Sequence, residues 1–333
     1  MKLHNSQTRP VPTRFDPFLD DAALRRGYQL LLSAAWDDFL LPLDRDPGAW
    51  LLTSILTADD AAVETVVFRR LHGARPSART LALLGGALVR DAELLLLGLR
   101  TDPRLPHRVI DLPPSMDHNE AEALLIDAET TLQEAVRMRP GLADPWVHLL
   151  ASGRLLGLDL PELRTRFENA HSRVPFRPDA CCQYLLGLSA RGGGSDDAMF
   201  DFARWVAAEA PPDSAAQTVL PMAHLEHGLG PMANSLTEHL ANPETVRLLT
   251  PALTRYLRAT SPEAGPMELG PLNAFALAMT VDDDLPARLV TETFRRIDNR
   301  PTSYPWSLYE DEPIAEVFAE VQRTQLRSAG RYL

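Results

Sequence analysis

Along most of the chain, apolar residues recur at spacings of three and four, the period of a helix with one buried face, and strict apolar–polar alternation bounded by Asn-Gly or Asp-Gly turns is missing. The pattern predicts an all-α protein. Prolines and glycines gather between the periodic segments, at RPVP, PHRVIDLPPS, RPG, VPFRP, RGGGS, APPD, SPEAGP and RPTSYP, and divide the chain into about a dozen short helices. Oxygen-bearing side chains able to accept from the free amides of a first turn stand at Asp20, Asp46, Ser77, Asp117, Asp144, Asp179, Ser195, Asp213 and Ser235, and each is a candidate N-cap. The segment 101–116, TDPRLPHRVIDLPPSM, cannot be regular helix, because its prolines remove amide donors and fix φ. It reads as a linker or long loop between an N-terminal helical region (1–100) and a middle region (117–260), with a C-terminal helical cap from 261 to 333.

The stretch AETTLQEAVRMRPGLADPWVHLL (128–150) carries a beat that recurs. Leu132, Ala135 and Pro140 are spaced by three and five; Phe167, Ala170 and Pro175 repeat those spacings 35 residues on, and Ala203, Val206 and Pro211 do so 36 further. Such a period is the signature of stacked helical hairpins, each too small to bury its apolar face alone. Ala128, Leu132, Ala135 and Pro140, followed by Trp146 and Leu149, resemble the tetratricopeptide repeat: small residues for close helix approach, a bulky pair between units, and a proline that ends the second helix. Leu150 and Gly153 depart from that pattern. From 140 to 228 the chain also resembles an uncharacterised bacterial family of tetratricopeptide-like proteins, through Gly194, Ser195, Met199, Phe202, Ala203 and Arg204, then Ala223, His224 and Glu226. Arg191 and Gly192 stand where that family usually carries Lys-Trp. These resemblances imply a tetratricopeptide-like α-solenoid and bring no established activity.

Composition narrows the functional classes. With 33 basic against 45 acidic residues the net charge is −12, which repels nucleic-acid backbones and anionic membranes, and no basic patch offsets it. The most apolar segment (80–99) is broken at its centre by Arg90 and Asp91, so it predicts buried helix and not a membrane span. The first residues hold no apolar run able to serve as a signal-peptide core, which points to the cytoplasm. Cys181 and Cys182 are helix neighbours whose side chains diverge, so no disulfide joins them and a reducing compartment fits.

Four motifs invite chemistry. GGGSDDAMFDFARW (192–205) lacks the preceding strand and the lysine of a phosphate loop; Asp196, Asp197 and Asp201 could hold magnesium on a diphosphate, but Ser195 as cap and two aspartates in a first turn satisfy the helix dipole equally. His224 and His227 share a helical face as two potential zinc ligands, without a third in the nearby sequence. Cys181 or Cys182 could act as a nucleophile with His148 or His171 as base, yet nothing in the sequence activates them. Tyr304, Trp306 and Tyr309 form an aromatic segment suited to closing the end of a stack, and the acidic runs 282–284 and 310–312 read as solvated helix ends.

The reading that fits these features is a non-catalytic scaffold or adaptor whose inner face binds a protein or peptide, with no cofactor and no metal. Asp144, Val147, Ala151 and Arg154 lie off the packed stripe, with Asp179 following, and Arg191, Arg204, His224 and Glu226 add polar contacts; the candidate binding residues are thus Asp144, Arg154, Asp179, Arg191, Arg204, His224 and Glu226. The alternative is an all-helical enzyme of specialised metabolism, which requires Asp197, Asp201, His224 and Glu226 to converge in one pocket.

Overall fold

The computed structural model describes residues 15–45, 50–56, 63–97, 99–101, 109–111, 118–229, 236–279, 287–308 and 313–329. Within them the protein is helical almost throughout, with seventeen α-helices, more than the dozen expected because several are very short. They are α1 (Ala22–Leu32), α2 (Trp36–Arg45), α3 (Trp50–Leu56), α4 (Thr65–Ala74), α5 (Ala78–Leu96), α6 (His118–Met138), α7 (Asp144–Leu155), α8 (Leu160–Arg173) and α9 (Pro178–Leu188). There follow α10 (Asp196–Glu209), α11 (Val219–Gly228), α12 (Leu236–Leu240), α13 (Pro243–Ala259), α14 (Pro266–Ala278), α15 (Ala287–Ile297), α16 (Ser303–Trp306) and α17 (Ile314–Ala329).

One element departs from the expected pattern. β1 (Leu99–Thr101) and β2 (Val109–Asp111) form an antiparallel pair with Arg100 opposite Ile110, inside and beside the segment read as linker or loop. Prolines at 103 and 106 exclude helix and bias their neighbours to extended backbone, while Val109 and Ile110 are β-branched, so a short ladder is the accessible regular structure.

From α5 to α12 each helix packs on the next, and α14 packs on α15. A second succession of contacts joins α5 to α7, α7 to α9, α9 to α11 and α11 to α14. α6, α8 and α10 end at Met138, Arg173 and Glu209, each two residues before its proline, Pro140, Pro175 and Pro211. The paired positions upstream, Leu132 and Ala135, Phe167 and Ala170, Ala203 and Val206, are all buried. Trp146 packs against both large apolar clusters, with the Arg173 guanidinium 5.2 Å from its ring centre.

One of those clusters takes in Leu19 and then residues from Val147 to Phe318, and the other joins α1–α5 to Ala128, Leu132, Leu149 and Ala151, so apolar packing continues across positions 116 and 261. The segment 80–99 contributes a single buried helix, α5, capped by Ser77 through reciprocal bonds with Thr80, and its Arg90 pairs with the adjacent Asp91. No helix among the described residues is long and apolar enough to cross a membrane.

Ser77 and Ser195 cap α5 and α10 as their sequence positions suggest. At α1 the cap is Asp21 and not Asp20, and beyond Asp213 it is Ser214 that accepts from an amide of the next turn. Asp144 and Asp179 are not caps; they lie inside the first turns of α7 and α9 with their carboxylates turned to an arginine. Asp46, Asp117, Ser235, Tyr309 and the acidic runs 282–284 and 310–312 lie outside the described residues.

The aromatic segment near the C-terminus enters the core. Trp306 is fully buried, donates its indole N–H to Oδ1 of Asn273 at 2.6 Å, and meets Phe318 edge to face. Replacing it by alanine removes a large buried side chain and leaves a buried amide oxygen unpaired. Trp306→Ala is expected to lower unfolding stability by about 3–5 kcal/mol, read as the shift of a urea transition.

Candidate functional site: a polar face across α7, α9 and α11

At one end of this face stands a buried charge cluster. Arg177 precedes α9 in extended conformation, and its guanidinium is almost wholly removed from water. It donates from Nε and Nη2 to the two oxygens of Asp179 at 2.8 and 2.9 Å, and from Nη1 to Oδ1 of Asp144 at 3.2 Å. Arg79 lies 3.6 Å from the other oxygen of Asp144. Burial pushes the Asp144 carboxyl up, but Arg177 and Arg79 outweigh it and hold the group below the usual carboxylate range. His148, one helical turn on, is held neutral by burial, its pKa pushed down to about 4. Its ring packs against Gly86 of α5, where a Cβ would come within 2.6 Å, so any larger residue there has to displace the imidazole.

The cluster is covered by the N-terminal region. The Thr53 hydroxyl sits 3.3 Å from Oδ1 of Asp144, the Ser54 hydroxyl donates to Oδ2 of Asp179 at 2.7 Å, and Arg177 lies 5.8 Å from the centre of the Trp50 ring. Asp144 and Asp179, read from sequence as open groove positions, are thus brought together beneath α3; Val147 and Ala151 are buried as well. Arg177, which links them, was not singled out in the sequence, although an arginine two residues before a first-turn aspartate is the signal that could have found it.

Further along, the face opens. Arg154 reaches back to Glu93 of α5 at 2.6 Å and across to Gln183 of α9 at 3.0 Å. Arg191, with 56% of its side chain exposed, makes a loose contact of 3.5 Å with Glu226 of α11, whose side chain is 8% exposed. Burial raises the Glu226 pKa, against the pull of Arg191 and Arg154, so this carboxyl is held between desolvation and two cations. The buried hydroxyl of Tyr304 finds no hydrogen-bond partner among the described residues and lies in the field of Glu226 and Cys182. Burial, with Asp179 adding to it, pushes the Cys182 thiol up to about 12, and Cys181 is also raised, so neither is an activated nucleophile.

Arg204 and His224 belong elsewhere. Arg204 pairs with Asp201 at 2.5 Å on the exposed side of α10. Every residue of α11 except His227 is buried, which is how His224 and Glu226, two apart and on opposite sides of the helix, are both inside. His224 meets His239 of α12, with Nδ1 and Nε2 3.0 Å apart, and His227 bonds Asp196 at 2.9 Å. His239 is the third histidine that the nearby sequence did not reveal, fifteen residues on.

The ring centres of His224 and His239 are 5.3 Å apart. That exceeds the nitrogen separation by about two ring radii, so the rings meet head-on in a hydrogen bond and their lone pairs do not converge on a common point. Among the described residues no group of three or more His, Cys, Asp or Glu is arranged to hold a metal ion. Asp197, Asp201, His224 and Glu226 likewise do not form one pocket: Asp201 is turned to solvent with Arg204, and Glu226 faces Arg191.

The histidine pair has a pH signature. Burial, reinforced by the neighbouring imidazoles, pushes His224 down to about 3 and His239 to about 4, both below the ordinary 6.5. Asp196 opposes the shift at His239, and Arg204 deepens it at His224. Neutral in the fold and protonated when unfolded, the pair contributes stability that is complete above the unfolded value and lost as pH falls below it. Urea midpoints are therefore expected to drop between about pH 7 and pH 5, with His224 and the equally buried His148 each accounting for roughly 1 kcal/mol per pH unit and half-exposed His239 for less. His224→Gln should make that slope shallower, leaving the share of His148.

Neither a family model, nor a curated protein, nor a solved structure matches this chain, so its function is argued from the geometry of this face.

Proposed function

We propose that the protein is a non-catalytic binding scaffold, a tetratricopeptide-like stack of helical hairpins that holds a protein or peptide segment against the face carrying Arg154, Gln183, Arg191 and Glu226. The stacking reading is supported by the contacts that join α5, α7, α9, α11 and α14 in succession and by the common distance from helix end to proline in α6, α8 and α10. The observation that carries the binding reading is the placement of Arg154, Arg191 and Glu226, from three separate elements, within one another's electrostatic reach on a partly open surface. The N-terminal region already occupies the Asp144–Asp179 end of the face, so the open end is where a partner has room.

Charge sets the kind of partner. A chain of net charge −12 favours a neutral or basic protein, while an exposed guanidinium held only loosely at 3.5 Å can exchange Glu226 for a carboxylate of the incoming segment. Two free thiols suit a reducing, cytoplasmic setting. The test is affinity capture from native lysate with three baits: wild type, Arg191→Glu, and Arg204→Glu as an equally exposed control off the face. A stoichiometric companion retained by wild type and Arg204→Glu but depleted at least tenfold by Arg191→Glu is the expected result. An identical companion set for all three baits contradicts the assignment.

A further inference from the structure

A second surface lies on the outer side of α13. An open groove of about 640 Å³ runs there, lined by Thr250, Thr254, Arg255, Arg258 and Ala259 of α13 and by Pro212 from the loop after α10. Helical spacing explains the composition of the groove. At about 100° per residue these α13 positions fall on the arc opposite the buried stripe of Leu249, Leu253, Tyr256 and Leu257, so none of them is spent on the core.

Only two charged side chains line the groove, and both are guanidinium groups. Arg255 and Arg258 are exposed, and among the described residues no carboxylate lies within ion-pair distance of either. Glu209 and Asp213 stand on either side of Pro212 in the sequence but are not part of the lining, and Arg247, earlier on α13, is taken by Glu244 at 3.4 Å. Arg255 donates from Nη2 to the carbonyl of Ala207 at 2.5 Å and lies 3.4 Å from Oε1 of Gln217, which holds the guanidinium in place and leaves its Nε and Nη1 uncommitted. The Thr250 hydroxyl is uncommitted as well among the described residues, while that of Thr254 donates to the Thr250 carbonyl at 2.8 Å. Pro251 also lines the groove and has no amide to give the Arg247 carbonyl one turn earlier, which leaves an acceptor for an incoming backbone N–H.

We infer that this groove is a docking site for a phosphorylated segment of a partner protein, with the phosphate on Arg255 and Arg258 and the flanking residues against Pro212 and Ala259. The groove is open along its length and does not enclose a small molecule, whereas an extended segment adds backbone and apolar contacts to the charged one. A phosphate suits the pair better than a carboxylate, because it offers three acceptor oxygens and nearly two charges to donors on two side chains. The chain as a whole carries a net charge of −12, so the anion is held by contact and not drawn in by the overall field. The groove shares no residue with the face that carries Arg154, Arg191 and Glu226, so the two assignments stand or fall separately.

The experiment is calorimetric titration of the purified full chain with the end-capped tripeptide alanyl-phosphoseryl-alanine, with its glutamate counterpart, and with inorganic phosphate. Wild type is expected to bind the phosphopeptide at one saturable site, roughly fivefold or more tighter than either of the other probes. Arg258→Gln should weaken the phosphopeptide about tenfold or more, and Ala259→Glu, which adds a carboxylate to the lining, should do the same. Arg204→Gln, a change at an exposed position of α10 outside the groove, should stay within about twofold of wild type. Absence of saturable phosphopeptide binding by wild type overturns the inference, as does unchanged affinity in Arg258→Gln or in Ala259→Glu. Equal binding of the glutamate peptide, or of inorganic phosphate, overturns it too, since the groove would then take any acidic segment or a free anion. Matching thermal unfolding of wild type and variants ties the losses to the groove.

Discussion

A guanidinium removed from water must be neutralised where it stands, and Arg177 imposes that requirement on three parts of the chain at once. It takes both oxygens of Asp179 within its own helix start and one oxygen of Asp144 at the start of α7. The bidentate pair fixes the guanidinium on its own helix start, and its remaining donor then reaches Asp144, which couples the two helix N-termini through one buried charge-assisted bond. The remaining acceptor capacity of the two aspartates is met by hydroxyls of α3, so the same charge also seats the N-terminal helices. Breaking it exposes a double cost: a buried ion without a partner, and a cover without a seat.

Much of the architecture was legible in the sequence because it rests on local rules. Helix periodicity, the caps at Ser77 and Ser195, the prolines that follow α6, α8 and α10, and the buried small residues before them depend on neighbours within a few positions. The charge cluster rests on distant ones: Thr53 and Asp144 are 91 positions apart, Ser54 and Asp179 125. An aspartate at a helix start satisfies a capping pattern and an ion pair equally well on paper, and only tertiary contact tells which it makes. The same holds for His224, whose partner His239 lies beyond the next loop, and for Tyr304, which reaches the neighbourhood of Glu226 from far along the chain. The β1–β2 pair escaped because its strands are three residues each, too short to show alternation.

Of the residues proposed from sequence as a binding set, the structure distributes them by depth. Asp144 and Asp179 are structural ions under α3, Arg154, Arg191 and Glu226 share the more open end of the same face, and Arg204 and His224 belong to α10 and to the junction with α12. This sorting follows from α11, which is buried nearly all round and so divides its polar groups between two environments.

The central claim, that Arg177 and Asp144 act as one buried unit organising the helix starts and their cover, is tested most directly by a double-mutant cycle read from urea unfolding. Arg177→Met alone should cost about 3–5 kcal/mol, because it strands the charges of both Asp144 and Asp179, and adding Asp144→Leu should restore the Asp144 part of that loss, so that the double variant is more stable than the two single losses summed would make it. Additive losses, with the double variant no more stable than the sum of its two single changes, would contradict it.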